Sequence, residues 1–310
     1  MPRKTAIALL SAAMACTAAA GPSSTSTVME TRPDSPAGPL FPGLDFVKAS
    51  LSYAGGMDLD DTAGELETYT LDARSVLSGP ISPMNDLTLL PMIQYKATRL
   101  NWKDTPVGFP IEDEDVHSIA LSTYALYSQE GSPWIFAGWA RAELATDFQH
   151  LNGDDVTFDV IAGVAYKFSD RLTFGLGAGA INLNNDEDFM IGPVLDWKVS
   201  DTVRVGILGP DVTASYTPDE NWEFSLRGYA AGDEWNIRDA AGDSTTLDLD
   251  SYRVGLFADR RLGGDLWLRV GGGMTVMNEI EIKSPQGNRA YKDDMDNGWF
   301  GEVALRLNVW

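Results

Sequence analysis

The sequence predicts an all-β protein, a transmembrane antiparallel up-and-down β-barrel of about fourteen strands, with twelve as the alternative. Three observations carry that expectation. From residue 44 onward apolar residues recur at every second position, and helical apolar spacing is hard to find. The alternating runs reach ten to fourteen residues, about twice an ordinary globular strand and enough to cross a bilayer at a tilt. Tight turns alternate with long acidic connections, the end-to-end asymmetry of barrels whose periplasmic turns are short and whose external loops are long.

The N-terminus sets the compartment. Residues 1–20 carry a basic start (Arg3, Lys4), an apolar stretch and the small-residue site Ala18-Ala19-Ala20, which together read as a secretory signal peptide. Cys16, the only cysteine, raises lipid attachment at Ala-Met-Ala-Cys as the rival processing. After conventional cleavage no thiol or disulfide chemistry is left. Residues 21–43, rich in Ser, Thr and Pro without a period, read as a flexible lead-in. Residues 44–310 read as the barrel. A formal net charge of −22 argues against nucleic acid as a partner, because phosphate binding needs a basic surface.

Along the barrel, VKASLSY sets Val47, Ala49, Leu51 and Tyr53 against Lys48, Ser50 and Ser52. TFDVIAGVAYKF and DSYRVGLFADR alternate in the same way. Strand starts fall near residues 45, 65, 86, 115, 133, 156, 171, 189, 202, 211, 222, 246, 265 and 297. The weak point of that count is VRVGILGPDVTASYT, where two short strands meet at Gly209-Pro210; if it is one bent strand, or the first run lies outside the wall, twelve becomes the better count. Tight turns lie at Ser128–Pro133, Ser169-Asp170, Ser200-Asp201, Pro218–Asn221 and Gly263–Asp265. The long connections include KDTPVGFPIEDED and AGDEWNIRDAAGDSTTLDLD.

Tryptophans fall into two belts. Trp134, Trp197, Trp222 and Trp310 flank the short turns, and Trp102, Trp235 and Trp299 flank the long loops, as interfacial girdles do. Trp139 lies mid-strand and Trp267 is inward by parity. The last ten residues, GEVALRLNVW, present Val303, Leu305, Leu307 and Val309 on one face and Glu302, Arg306 and Asn308 on the other. This is the expected closing strand, pairing antiparallel with LDFVKASLSY.

The stretches LDWKVSDTVRVGILGPDVTASYTPDENWEFSLRGY and SYRVGLFADRRLGGDLWLRVGGGM, with VAYKFSDRLTFGLGAGA, resemble a family of uncharacterised bacterial outer-membrane barrels, a domain of unknown function. The resemblance covers residues 44–310 and implies a fold and a location but no reaction and no functional residues. One departure is at the chain end, where Trp310 falls on the polar parity, out of step with Leu307 and Val309. The resemblance implies residence in the outer membrane of a Gram-negative-type bacterium. The turn asymmetry puts the long loops outside and both mature termini in the periplasm, and the expected partners are outer-membrane lipid and the barrel assembly machinery.

Parity also places charges. The inward set comprises Lys48, Lys96, Arg141, Lys167, Lys198, Arg204, Arg227, Arg253, Arg261, Arg269 and Arg306, against Asp72, Glu143, Asp159, Asp196, Glu223, Asp259 and Glu302. A charge at mid-depth on the lipid face costs roughly 2–4 kcal/mol, so these residues are expected in the lumen whatever the function. Two roles follow for them. They brace the wall through ion pairs such as Arg141 with Asp159 or Arg253 with Glu223, or they line a solute path.

The acidic loops at Asp186, Glu187 and Asp188, and at Asp293, Asp294 and Asp296, offer oxygen ligands for weak Ca²⁺ holding, although neither has the spacing of a defined calcium loop. A solvated acidic surface explains them as well, and no other cofactor is expected. Catalysis is not expected. The chain has two histidines, His117 and His150, and the adjacent Ser118 would face away from His117 on a strand. The leading expectation is a porin-like barrel passing small solutes. The alternative is a plugged structural or interaction barrel whose acidic loops bind ions or a surface partner, and a third is an outer-membrane enzyme.

Overall fold

The computed structural model describes residues 45–106, 109, 111–149, 151, 155–181, 188–238, 244–283 and 289–307. The signal segment, Cys16, the lead-in, His150, Asn308, Val309 and Trp310 lie outside these residues. Seventeen strands are described: β1 (Val47–Asp58), β2 (Glu65–Val76), β3 (Ile81–Met84), β4 (Leu87–Lys103), β5 (Glu114–Tyr127), β6 (Trp134–Thr146), β7 (Val156–Ser169), β8 (Leu172–Ile181), β9 (Asp188–Lys198), β10 (Val203–Leu208), β11 (Asp211–Asp219), β12 (Trp222–Ala230), β13 (Asp233–Arg238), β14 (Ser244–Gly263), β15 (Leu266–Lys283), β16 (Arg289–Met295) and β17 (Trp299–Leu307).

Fourteen of them form a closed antiparallel wall, in the order β1-β2-β4-β5-β6-β7-β8-β9-β10-β11-β12-β14-β15-β17 and back to β1. The seam runs from Val47↔Leu307 to Gly55↔Trp299. GEVALRLNVW is therefore the closing strand as far as it is described, and closure removes the unpaired edges that hydrocarbon would penalise. The other three strands are additions. β3 folds back on the start of β4, while β13 and β16 pair with the loop-end extensions of β14 and β15.

The segment around Gly209-Pro210 forms two strands. Leu208 pairs with Asp211 across a two-residue turn in which Gly209 adopts φ +58°, a left-handed conformation suited to glycine. The count is fourteen, and at this point alone the end with the long loops has a tight turn. The wall is consequently uneven: β10 has 6 residues, β14 has 20 and β15 has 18.

Alternation sorts the side chains as a membrane barrel requires. Leu51, Leu121, Leu176, Ile191 and Leu256 project outward and are exposed. Their strand neighbours Ser50, Ala120 and Phe257 are buried on the inward face. On β8 the inward positions beside Leu176 are Gly175 and Gly177, in step with the buried Thr173. Near the short turns Trp134, Phe136, Phe168, Phe174, Trp197 and Phe224 form one exposed aromatic belt, and near the long loops Tyr69, Phe158 and Trp299 contribute to a second. Two tryptophans expected in the second belt belong elsewhere. Trp235 is buried, and Trp102 packs against the same apolar cluster, because both share the inward parity of their strands. Trp139 and Trp267 also take inward positions; Trp139 lies 6.2 Å from Tyr124, ring to ring.

Candidate functional site: a charged lumen beneath an apolar cap

The charged residues assigned to the lumen by parity alternate with the outward apolar residues of their strands. On β1, β2, β14, β15 and β17 the interior charges join one network. Asp45, just before β1, accepts from Arg306 Nε at 2.6 Å and from Arg74 Nη2 at 3.3 Å. Arg306 Nη1 also reaches Asp259 Oδ1 at 2.5 Å. Arg269 Nε bonds both oxygens of Asp259, at 3.0 and 3.1 Å. Asp45, Asp259, Arg269 and Arg306 are all 5% exposed or less. Buried charges persist only when paired and hydrogen-bonded, and here two carboxylates are shared among three guanidinium groups. Lys48 meets Glu302 at 3.2 Å, and Tyr229 Oη donates to the same carboxylate at 3.5 Å.

Elsewhere in the wall Arg141 pairs with Glu143 and, at 3.5 Å, with Asp159. Arg204 Nε bonds Asp196 at 2.5 Å. Lys167 reaches Asp170 in the following turn at 2.8 Å. The expected Arg253–Glu223 pair does not form. Register places Arg253 opposite Tyr229 and Glu223 opposite Asp259, six positions apart along the strands. Arg253 instead donates to Ser52 Oγ at 3.2 Å and lies 5.2 Å from the Phe300 ring centre. Arg227 donates to Ser225 Oγ at 3.2 Å and lies 5.8 Å from the Phe257 ring centre.

Above this network the inward positions turn apolar. Leu66, Leu100, Val116, Ile280, Ile282, Phe257 and Phe300 from the wall pack with Trp235 and Ile237 of β13, Leu247 and Leu249 of β14, Ile111 and Met295 into one buried cluster. Phe109 joins it, 5.0 Å from the Trp102 ring and 5.4 Å from Tyr291. The cluster caps the long-loop end of the barrel.

The β13–β14 hairpin forms the beam of that cap. β14 is the twelfth wall strand and β6 the fifth, seven apart in a ring of fourteen, and β13 nevertheless bridges to β6 at Asn236↔Thr146. Arg238 N donates to Asp147 Oδ2 at 3.0 Å, and Lys96 Nζ meets Asp233 Oδ2 at 2.5 Å. The hairpin thus straps the mouth from one side to the other. The buried wall members of the cluster come from the arc running β14-β15-β17-β1-β2-β4-β5-β6, with Tyr229 of β12 packed against it. On the remaining arc the inward positions include Gly163, Gly175, Gly177, Gly192 and Gly206 beside Asp159, Ile161, Met190, Val194 and Arg204.

The strap's root carries carboxylates in register, Glu234↔Asp248 and Asp248↔Glu281, with Asp250 beside them and Lys283 3.8 Å from Asp248. Burial, then the charges of Asp250 and Glu234, push the Asp248 carboxyl up to about 7.

The residues expected to hold calcium divide. Asp186, Glu187 and the side chain of Asp188 lie outside the described residues. Asp293 is buried and accepts from Tyr291 Oη at 2.7 Å and Asp61 N at 3.0 Å. Asp294 follows it on the opposite face of β16, as strand alternation dictates, and Asp296 N donates to Asp58 O at 2.8 Å beyond the strand. Among the described residues no three His, Cys, Asp or Glu side chains converge on one point. His117 faces outward, with Tyr95 Oη 3.0 Å from Nδ1, while Ser118 is buried on the inward face.

Asp45 and Arg74 belong to the network but not to the inward set read from the sequence. Arg74 follows Asp72 at inward spacing, so its parity is readable. Asp45 precedes the alternating run and has no parity to assign.

The fold and its interior define a transmembrane β-barrel with a charged lumen and a strapped mouth. The chain belongs to the family described as Domain of unknown function (DUF6268), whose model matches residues 65–309. No match was found among curated proteins. Among solved structures it is similar to the COG4313 outer membrane channel from Pseudomonas putida F1, at 10% identity and TM-score 0.43, covering 84% of this chain and 95% of that one. It is also similar to the translocator domain of the autotransporter NalP from Neisseria meningitidis, at 12% identity, TM-score 0.33 and coverages of 84% and 86%. A third is the Pseudomonas putida toluene transporter TodX, at 10% identity, TM-score 0.30 and coverages of 85% and 90%. Likenesses this distant assign no cargo to the present chain.

Proposed function

We propose that the protein is an outer-membrane channel for passive movement of small solutes, with its long loops external and both chain ends periplasmic, inserted by the barrel assembly machinery. The observation that carries this reading is the division of labour inside the barrel. The lumen below the cap is lined by charged side chains, whereas the buried apolar cluster draws its wall residues from β14 round to β6. Solutes pass beside the strap, along the glycine-bearing face of β7–β10. A net charge of −22 argues against nucleic acid as a partner.

A second reading, a closed structural or interaction barrel, is favoured by the strap itself, which is tied to the far wall by an ion pair, a backbone bridge and a backbone-to-carboxylate bond. Liposome swelling separates the two. Vesicles containing the refolded protein should swell in isotonic solutions of small sugars and more slowly as the sugar grows. Protein-loaded vesicles that swell no faster than empty ones, with the protein shown to be folded, would favour the closed barrel.

A further inference from the structure

We propose that the lumen holds a binding site for small organic carboxylates, formed by Arg227 and Arg253, and that this site makes the passage anion-selective. The inference rests on the channel reading for its transport consequence but not for the binding site itself.

The argument starts from which lumen cations have counter-ions. Around these two residues Lys48, Arg74, Arg269 and Arg306 each have a carboxylate oxygen within 3.3 Å. Among the described residues neither Arg227 nor Arg253 forms such a pair. Arg253 is 9% exposed, and its Nε is buried with no hydrogen-bond partner. Its contacts include a serine hydroxyl and the face of Phe300. Those of Arg227 include a serine hydroxyl and the face of Phe257. Hydroxyls and ring faces hold a guanidinium in place without cancelling its charge.

Most nearby acids are already engaged, and Asp211, diagonal to Arg227 on β11, is held by the Ala230 backbone. Glu302 takes Lys48 and Tyr229, Asp259 takes Arg269 and Arg306, and Asp72 accepts the Gln94 amide at 2.8 Å. Glu223 lies four residues along the strand from Arg227, opposite Asp259.

The two cations are neighbours. Arg253 pairs with Tyr229 and Arg227 with Gly255, so they sit diagonally on adjacent strands of one lumen face. Like charges so placed repel each other unless an anion lies between or beside them. A carboxylate supplies two oxygens that match a guanidinium fork. The half-buried Arg227 is the entry side of the site.

The test uses the full refolded protein, wild type and the variants Arg227→Gln and Arg227→Gln/Arg253→Gln, with folding checked by heat-modifiability. Isothermal titration with sodium benzoate reads the site directly. Saturable binding is expected for wild type, weakened at least about fivefold by each charge removed, as expected for a unit charge acting at short range in a polar medium. The zero-current potential in a potassium chloride gradient reads selectivity, and the chloride-to-potassium permeability ratio should exceed one in wild type and fall in both variants. Benzoate binding lost in the variants supports the site even if no current flows, and in that case only the channel reading fails. Folded protein that binds no benzoate, conducting or not, or whose binding is the same in all three proteins, overturns the proposal.

Discussion

Replacing Arg306 with Gln tests the clasp at the barrel seam. Arg306 lies on the last strand; its partner Asp45 precedes the first and also holds Arg74 on the second, so one carboxylate ties three strands together. Removing one partner of a buried ion pair costs about 3–5 kcal/mol. Here Asp259 keeps both bonds from Arg269, and Asp45 keeps Arg74 at 3.3 Å. The loss should therefore fall near the lower end, about 3 kcal/mol, or roughly a hundredfold in the folding equilibrium. Arg171→Gln is the control, because its pair with Asp201 is 58% and 78% exposed, and such surface pairs contribute less than about 1 kcal/mol. Urea titration in lipid vesicles, followed by tryptophan fluorescence, measures both. Equal midpoints for the two variants would refute the clasp.

Further outcomes follow from the same geometry. Leu256, 69% exposed on the outer face, should not tolerate arginine: Leu256→Arg should impair assembly by about 2–4 kcal/mol, seen as loss of the heat-modifiable band, whereas Arg253→Leu should leave assembly intact. The raised Asp248 carboxyl makes the strap pH-dependent. Its folded value, about 7, lies above the ordinary 3.8, so its stabilising contribution is full below about pH 4 and is lost as pH rises through 7. Hydrogen exchange in residues 244–250 should be slower at pH 5 than at pH 8, after correction for intrinsic rates, and Asp248→Asn should flatten that difference; an unchanged profile would count against it. Cysteines placed at Asp294 and Asp265 should divide by side, with an impermeant maleimide on intact cells labelling only the former; labelling of the latter alone would invert the topology.

Much of the wall is legible in the sequence because one physical constraint acts on every strand. A residue in the wall meets either hydrocarbon or the lumen, so period-two alternation survives in sequence, and strand starts such as 65, 156, 211 and 222 fall where the structure puts them. Parity likewise places Arg269, Asp259 and Arg306. The pairing of those charges is less legible, since it depends on register: Arg141 meets Asp159 in register, but Arg253 and Glu223 are offset by six positions.

The cap escapes a sequence reading for a different reason. AGDEWNIRDAAGDSTTLDLD reads as an acidic loop by composition, yet Trp235 and Ile237 alternate with polar residues, as do Leu247 and Leu249, and the apolar side of that alternation is the buried face of the strap. Its partner across the mouth, β6, is far away in sequence, as the Arg238–Asp147 bond shows with a separation of 91. No local pattern encodes a contact at that distance.

Single-channel recording in planar bilayers tests the central claim most directly. Folded wild-type protein, verified by heat-modifiability, should insert to give discrete ohmic current steps at low voltage with the strap in place. A folded, inserted protein that carries no current across the voltage range would contradict the account and leave the barrel closed.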